Sequence, residues 1–165
     1  MIYIVRVGYK NENFDPLGRI LKSDILDLGF SNLENIRSMP TYWIESETLN
    51  IDIEKICKEL LIDEIIQDYW INEEKNEWCK GFNWIVEVNF KPGVTDPVAD
   101  SVKKGIETIG VFNVKNVKTG MTYLLKGNLS EDDVKIICNK CLANPIIHNY
   151  KIIKINEILI KNIKK

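Results

Sequence analysis

The chain has one histidine, His148, in 165 residues, four cysteines, and a formal charge of -2. So little histidine leaves few ways to build a nucleophile-and-base site. The near-neutral charge supplies no basic field of the kind that holds nucleic acid. No apolar run approaches the roughly 18 residues that a membrane-spanning helix needs. The opening Met-Ile-Tyr-Ile-Val-Arg-Val alternates without a charged lead or a small-residue cleavage site, so a cytoplasmic protein is expected. There is no Gly-rich phosphate loop before a helix, and the helix openings are Asp-Pro, whose carboxylate occupies the cap and repels phosphate. The adjacent pairs Asp132-Asp133 and Glu73-Glu74 point apart on a helix or loop and read as solvated surface, not as a magnesium site. No cofactor is expected.

Cys138 and Cys141 have the CxxC spacing of zinc and redox sites, but there is no second CxxC. Both look like positions on the apolar face of a helix, where Cys serves as a small hydrophobe.

What is present is a repeat. Residues 4–71 recur as residues 85–152 at a constant offset of 81 without a gap: Val5, Lys10, Asp15, Pro16, Gly29, Thr41, Tyr42, Cys57 and Tyr69 return as Val86, Lys91, Asp96, Pro97, Gly110, Thr122, Tyr123, Cys138 and Tyr150. Two copies are too few for a solenoid, so a fused pseudo-dimer is expected. The division is a first unit over 1–71, a linker over 72–84, a second unit over 85–152 and an extension over 153–165.

In each copy an alternating run (Tyr3 to Tyr9, Val86 to Phe90) predicts a strand. Asp15-Pro16 and Asp96-Pro97 then open an amphipathic helix that ends at Gly29 and Gly110. A hairpin is predicted from Leu33–Arg37 and Thr41–Glu45, with its turn at Ser38-Met39-Pro40, and likewise around Thr119-Gly120. A second helix, capped in the second copy by Ser130 and Asp133, precedes a last strand over 65–71 and 146–152. The fold class is α+β, with two ferredoxin-like βαββαβ units packed as an intrachain pseudo-dimer.

In the second copy, Lys91-Pro-Gly-Val-Thr-Asp96-Pro97, Gly110 and Cys141-Leu-Ala-Asn-Pro-Ile-Ile-His-Asn-Tyr150 resemble the PurS small subunit of phosphoribosylformylglycinamidine synthase. The first copy keeps Lys10, Asp15, Pro16 and Gly18 and lacks the Asn-Pro. The resemblance implies a non-catalytic scaffold of the ATP- and glutamine-dependent complex of purine biosynthesis, bridging a synthetase subunit and a glutaminase subunit. Glutamine hydrolysis would call for a cysteine with a positioned histidine, and His148 occupies a slot held by Gln67 in the sister copy. Two alternatives stand beside it: a regulatory module that binds a small molecule, and a scaffold for another amidotransferase.

Candidate partner contacts are Lys10, Lys91, Trp43, Trp70, Asn144 and Tyr150. The two lysines project from strand-to-helix turns, and a solvated turn lysine is the competing reading. Asn144-Pro145 reads first as a turn. Trp43 and Trp70 face Leu124 and Lys151 in the alignment, an asymmetry that suits unequal partners, with core burial as the alternative. The extension from Ile153 is amphipathic as a helix and has no counterpart after the first copy; it docks on its own domain or on a partner. Further self-association is an open expectation, and neither nucleic acid nor membrane is an expected partner.

Overall fold

The structure, a computed structural model, describes residues 1–72 and 77–156. Glu73-Glu74 and most of the C-terminal extension therefore lie outside the described residues. Six strands form one antiparallel sheet: β1 (Ile2–Tyr9), β2 (Leu33–Ser46), β3 (Gln67–Ile71), β4 (Trp84–Phe90), β5 (Val114–Gly127) and β6 (His148–Lys154), in the order β3-β1-β2-β5-β4-β6. Among the described residues four α-helices cover one face: α1 (Pro16–Asp27), α2 (Ile53–Ile56), α3 (Pro97–Thr108) and α4 (Glu131–Ile137). α2 and α4 each run on into a π-helical turn, Cys57–Leu61 and Cys138–Leu142.

The local reasons are those of the sequence. Asp15 accepts from the Gly18 amide and Asp96 from the Ala99 amide, each just before a proline at the first helical position. Ser130 and Asp133 form a reciprocal capping box. Gly29 and Gly110, at φ of +102° and +86°, end their helices in the left-handed region that costs glycine nothing.

The hairpin within each copy does not form. Residues 33–46 and 114–127 are single strands of 14 residues, and they pair with each other from Leu33↔Gly127 to Ser46↔Val114. A turn at Ser38-Met39-Pro40 would put proline at the third position of a four-residue turn, which it disfavours in type I. In the straight strand Pro40 stands one residue beyond the last β1 pair, Arg6↔Thr41, where the ladder on that side has ended and proline is tolerated. Pro40 also pairs with Met121, its own equivalent in the other copy, so the pseudo-twofold axis passes between them.

Straightening the hairpin exchanges pieces between the copies. The spatial order β3, β1, end of β2, start of β5 is one ferredoxin-like unit; β6, β4, end of β5, start of β2 is the other. The helices follow the strands. Leu21 and Ile25 of α1, with Leu33 and Ile36, pack among Val86, Val88, Tyr123, Val134 and Ile137 of the second copy. Reciprocally, Ala99, Val102 and Ile106 of α3 pack among Val5, Val7, Ile44 and Ile56 of the first. The α+β class with two ferredoxin-like units stands, and each unit is built from both halves of the chain. Gly105 marks one contact between them: a Cβ there would come within 2.8 Å of Leu60.

Candidate partner-docking face

Alternation along the strands puts Arg6, Gly8, Arg37, Met39, Thr41, Trp43, Trp70, Ile85, Glu87, Thr122 and Leu124 on the face away from the helices. At the pseudo-twofold axis, Arg6 Nη2 donates to Glu87 Oε2 at 2.6 Å and Arg6 Nε to Thr122 Oγ1 at 3.3 Å. The Thr41 and Thr122 hydroxyls lie 2.7 Å apart. Arg6 and Glu87 are equivalent positions, as are Thr41 and Thr122.

To the first copy's side of that axis the face is covered. Met39, Trp70, Cys79, Phe82, Ile85, Leu124 and Ile155 form a buried cluster with Trp78 packed on it. Trp78 meets Trp70 edge-on at 4.9 Å between ring centres, and Arg37 stands 4.3 Å over its ring. Burial among these groups lowers the pKa of Arg37, with Glu12, Asp15 and Cys79 opposing the shift. Gly8 makes room: a Cβ there would lie 2.4 Å from the Trp78 ring.

To the second copy's side lies a cleft of about 510 Å³ lined by Trp43, Glu45, Asn89, Lys91, Asn116 and Lys118. Asp96 closes one end. Its Oδ2 accepts from the Thr119 amide at 2.8 Å, tying the start of α3 to the middle of β5. Lys115 pairs with Glu45 at the rim, at 3.3 Å.

The six candidate residues fall in different places. Lys91 and Trp43, from different copies, line this one cleft. The Lys91 amide donates to the Ile147 carbonyl at 2.8 Å, which sets the Asn144 turn beside it. In that turn Asn144 Oδ1 accepts from the Ile146 amide, and the Asn144 amide donates to His148 Nδ1. Lys10 occupies the equivalent corner of the first copy, where its Nζ donates to the Glu64 carbonyl at 2.6 Å. Trp70 is 6% exposed, beneath Trp78. Tyr150 packs against the second core on the helical face. Lys118, Asn116 and Glu45 escaped the sequence reading, because a turn placed at Thr119-Gly120 hides the pairing that brings β5 beside β2. The charge reversal between Arg6 and Glu87 was the available signal for the axis.

Burial pushes the Cys57 and Cys138 thiols up to about 12, with Glu54 adding to the shift at Cys57 and a backbone hydrogen bond opposing it at Cys138. Cys141 is raised as well, by burial and then by Asp24. Thiols held protonated in this way are poor nucleophiles and poor metal ligands. Among the described residues no group of three or more His, Cys, Asp and Glu side chains could hold a metal, and no helix is long and apolar enough to cross a membrane.

The sequence profile of the PurS family, described as phosphoribosylformylglycinamidine (FGAM) synthase, matches the chain twice, over residues 3–75 and 83–156. The chain belongs to the PurS family. It is 33% identical over 78 residues to a protein of Methanocaldococcus jannaschii named phosphoribosylformylglycinamidine synthase subunit PurS, covering 44% of this chain and 93% of that relative. It is 30% identical over 73 residues to the protein of the same name from Archaeoglobus fulgidus, covering 41% of this chain and 91% of the relative. A whole PurS subunit thus corresponds to about one copy here. The tandem places two PurS-family units on one sheet.

Proposed function

We propose that this chain is the PurS component of an FGAM synthase in purine biosynthesis: a scaffold without chemistry of its own that holds a synthetase subunit and a glutaminase subunit together. One chain then does the work of a pair of PurS subunits. The observation that carries the reading is the double family match on a single sheet with pseudo-twofold symmetry. β1 and β4 are three antiparallel steps apart, so they run in opposite directions and present Lys10 and Lys91 at opposite ends of the sheet.

The two ends have the same geometry and different residues. Lys10 sits with Glu64 and the Asp63 turn, Lys91 with the Asn144-Pro145 turn. Two related but unequal docking sites suit two unequal partners, and like-charge or steric mismatch at each end excludes the wrong one. Trp70 and Tyr150 support these ends through packing. The raised thiols, and a histidine engaged with the Asn144 amide, fit a subunit that leaves glutamine hydrolysis to its partner.

The test is assembly by size-exclusion chromatography with the synthetase and glutaminase of the same organism. The expected result is a ternary complex from which Lys91→Glu releases one partner and Lys10→Glu the other. Migration of the chain as a separate species in the presence of both would overturn the reading.

A further inference from the structure

Ile65 and Ile146 stand at equivalent positions of the two copies, and at 85% and 81% exposure they are the barest large apolar side chains among the described residues. Each lies in the turn that precedes an edge strand, β3 in one copy and β6 in the other. A single exposed isoleucine calls for no explanation. A matched pair, held out by the same hydrogen bonds, does.

The two turns are built alike from different residues. Asp63 Oδ1 accepts from the Ile65 amide and Asn144 Oδ1 from the Ile146 amide, both at 3.0 Å. The Asp63 amide donates to Gln67 Oε1 and the Asn144 amide to His148 Nδ1, both at 2.9 Å. The Asp63 carbonyl accepts from the Ile66 and Gln67 amides, and the Asn144 carbonyl from those of Ile147 and His148. The Ile66 and Ile147 carbonyls accept from the Lys10 and Lys91 amides, which ties each turn to the corner where its lysine stands. Asp63, Glu64 and Gln67 are replaced by Asn144, Pro145 and His148 in the second copy, yet the bonds and the bare isoleucine persist. A backbone fixed in this way has little freedom left to lose when its side chain is gripped.

What surrounds the two isoleucines differs. Glu64, next in the chain to Ile65, lines a recess of about 440 Å³ with Lys10, Lys58, Gln67 and Asp68, two cations and two carboxylates in all. The second copy has Asn139, Pro145 and Asn149 in place of Lys58, Glu64 and Asp68, and none of them is charged. The recess at this end, about 280 Å³, is mostly apolar: Tyr42, Phe90, Val98 and Leu142 line it, with His148.

We propose, resting on the scaffold reading, that Ile65 and Ile146 are the apolar anchors of the two docking sites, each entering a socket on one partner subunit. The recess beside each anchor then selects the partner. The first end takes a socket rimmed by charged side chains, and the second takes a partner that returns an apolar side chain of its own. Full burial of one isoleucine corresponds to about 10- to 100-fold in affinity.

The test is biolayer interferometry of the full chain against the synthetase and against the glutaminase of the same organism, at low and at high salt. The variants are Ile65→Ser, Ile146→Ser, Ile65→Leu and Ile146→Leu. The expected result is that Ile65→Ser loosens one partner about tenfold or more and Ile146→Ser the other, while the leucine variants bind nearly as the wild type does. Salt is expected to weaken the Ile65-dependent complex severalfold and the Ile146-dependent one less. All four variants are expected to unfold at the wild-type temperature, because neither side chain is packed. Binding of both partners that is unchanged in both serine variants overturns the anchors and leaves the scaffold reading standing. Loss of the same partner in both variants overturns the division between the ends. A wild type that binds neither partner overturns the scaffold reading, and the anchors with it.

Discussion

Arg6 and Glu87 occupy the same position of the two copies, 81 residues apart, and their side chains meet at 2.6 Å across the pseudo-twofold axis. In a pair of identical subunits any residue there meets itself, so a charge would face its own sign. Fusion into one chain frees the two positions to diverge, and arginine in one copy with glutamate in the other makes pairing specific for unlike copies. Two first copies would oppose arginines and two second copies glutamates, each a repulsive alternative.

Removing one member takes a short, largely buried charge partner from the other. Arg6 is nearly buried and Glu87 mostly so, at 5% and 19% side-chain exposure. Glu87→Gln or Arg6→Met is therefore expected to cost about 3 kcal/mol, near the low end for breaking a buried pair. The double variant Arg6→Met with Glu87→Leu is expected to cost less than the sum of the single changes, because both charges of the pair leave together. Urea unfolding of the four proteins in a double-mutant cycle measures the coupling.

Because each core takes a helix from the other half, the halves are not expected to fold apart. Residues 1–82 and 83–165, produced separately, are expected to show weak near-ultraviolet dichroism, and to recover the native spectrum when mixed. Linking the halves raises their effective concentration to about the millimolar range, so the mixture is expected to dissociate on dilution where the single chain does not.

Asp15 and Asp96 test the tie between helix and strand. Asp15, 2% exposed, accepts from the Gly18 amide, the Ser38 amide and the Ser38 hydroxyl. Asp15→Ala removes a cap and leaves buried donors unpaired, for an expected loss of about 2–4 kcal/mol. Asp96 makes the matching bonds to the Ala99 amide and to the Thr119 amide and hydroxyl but is more exposed, so water replaces part of what Asp96→Ala removes and the expected cost is smaller, about 1–2 kcal/mol. Thermal unfolding ranks the two.

The buried thiols set an alkaline limit. Cys57 and Cys138 titrate near 12 in the folded protein against 9.0 for the ordinary thiol. A raised folded value means that their contribution is complete below pH 9 and is lost as the pH rises from 9 towards 12. Stability is expected to fall over that window, and Cys57→Ala with Cys138→Ala to flatten the fall. Below pH 9 a thiol reagent is expected to modify Cys141, which is partly exposed, ahead of both.

Much of this was legible in the chain. The offset of 81, the Asp-Pro caps, the glycine stops and the extended character of the strand segments are local patterns, and local patterns survive whichever copy an element packs on; the eight segments read from the sequence are six strands, because each expected hairpin is one straight strand. The exchange was not legible for the same reason: residues 33–37 and 41–45 alternate identically in a hairpin and in a straight strand, and Pro40 reads as a turn until its partner is seen to be Met121. The site shared that fate. Lys91 and Trp43 were recognised separately, and only the pairing of β2 with β5 brings them to one cleft with Lys118. Trp70 carried an interface signal in its asymmetry and proved to lie under Trp78.

The account's central claim, that this chain is the scaffold of an FGAM synthase, is tested most directly by reconstitution. Glutamine-dependent formation of the amidine is measured with purified synthetase and glutaminase, with and without the chain. The expected result is an inert chain by itself and a glutamine-dependent rate that appears only when it is added. A full rate in its absence, or turnover by the chain alone, would contradict the account.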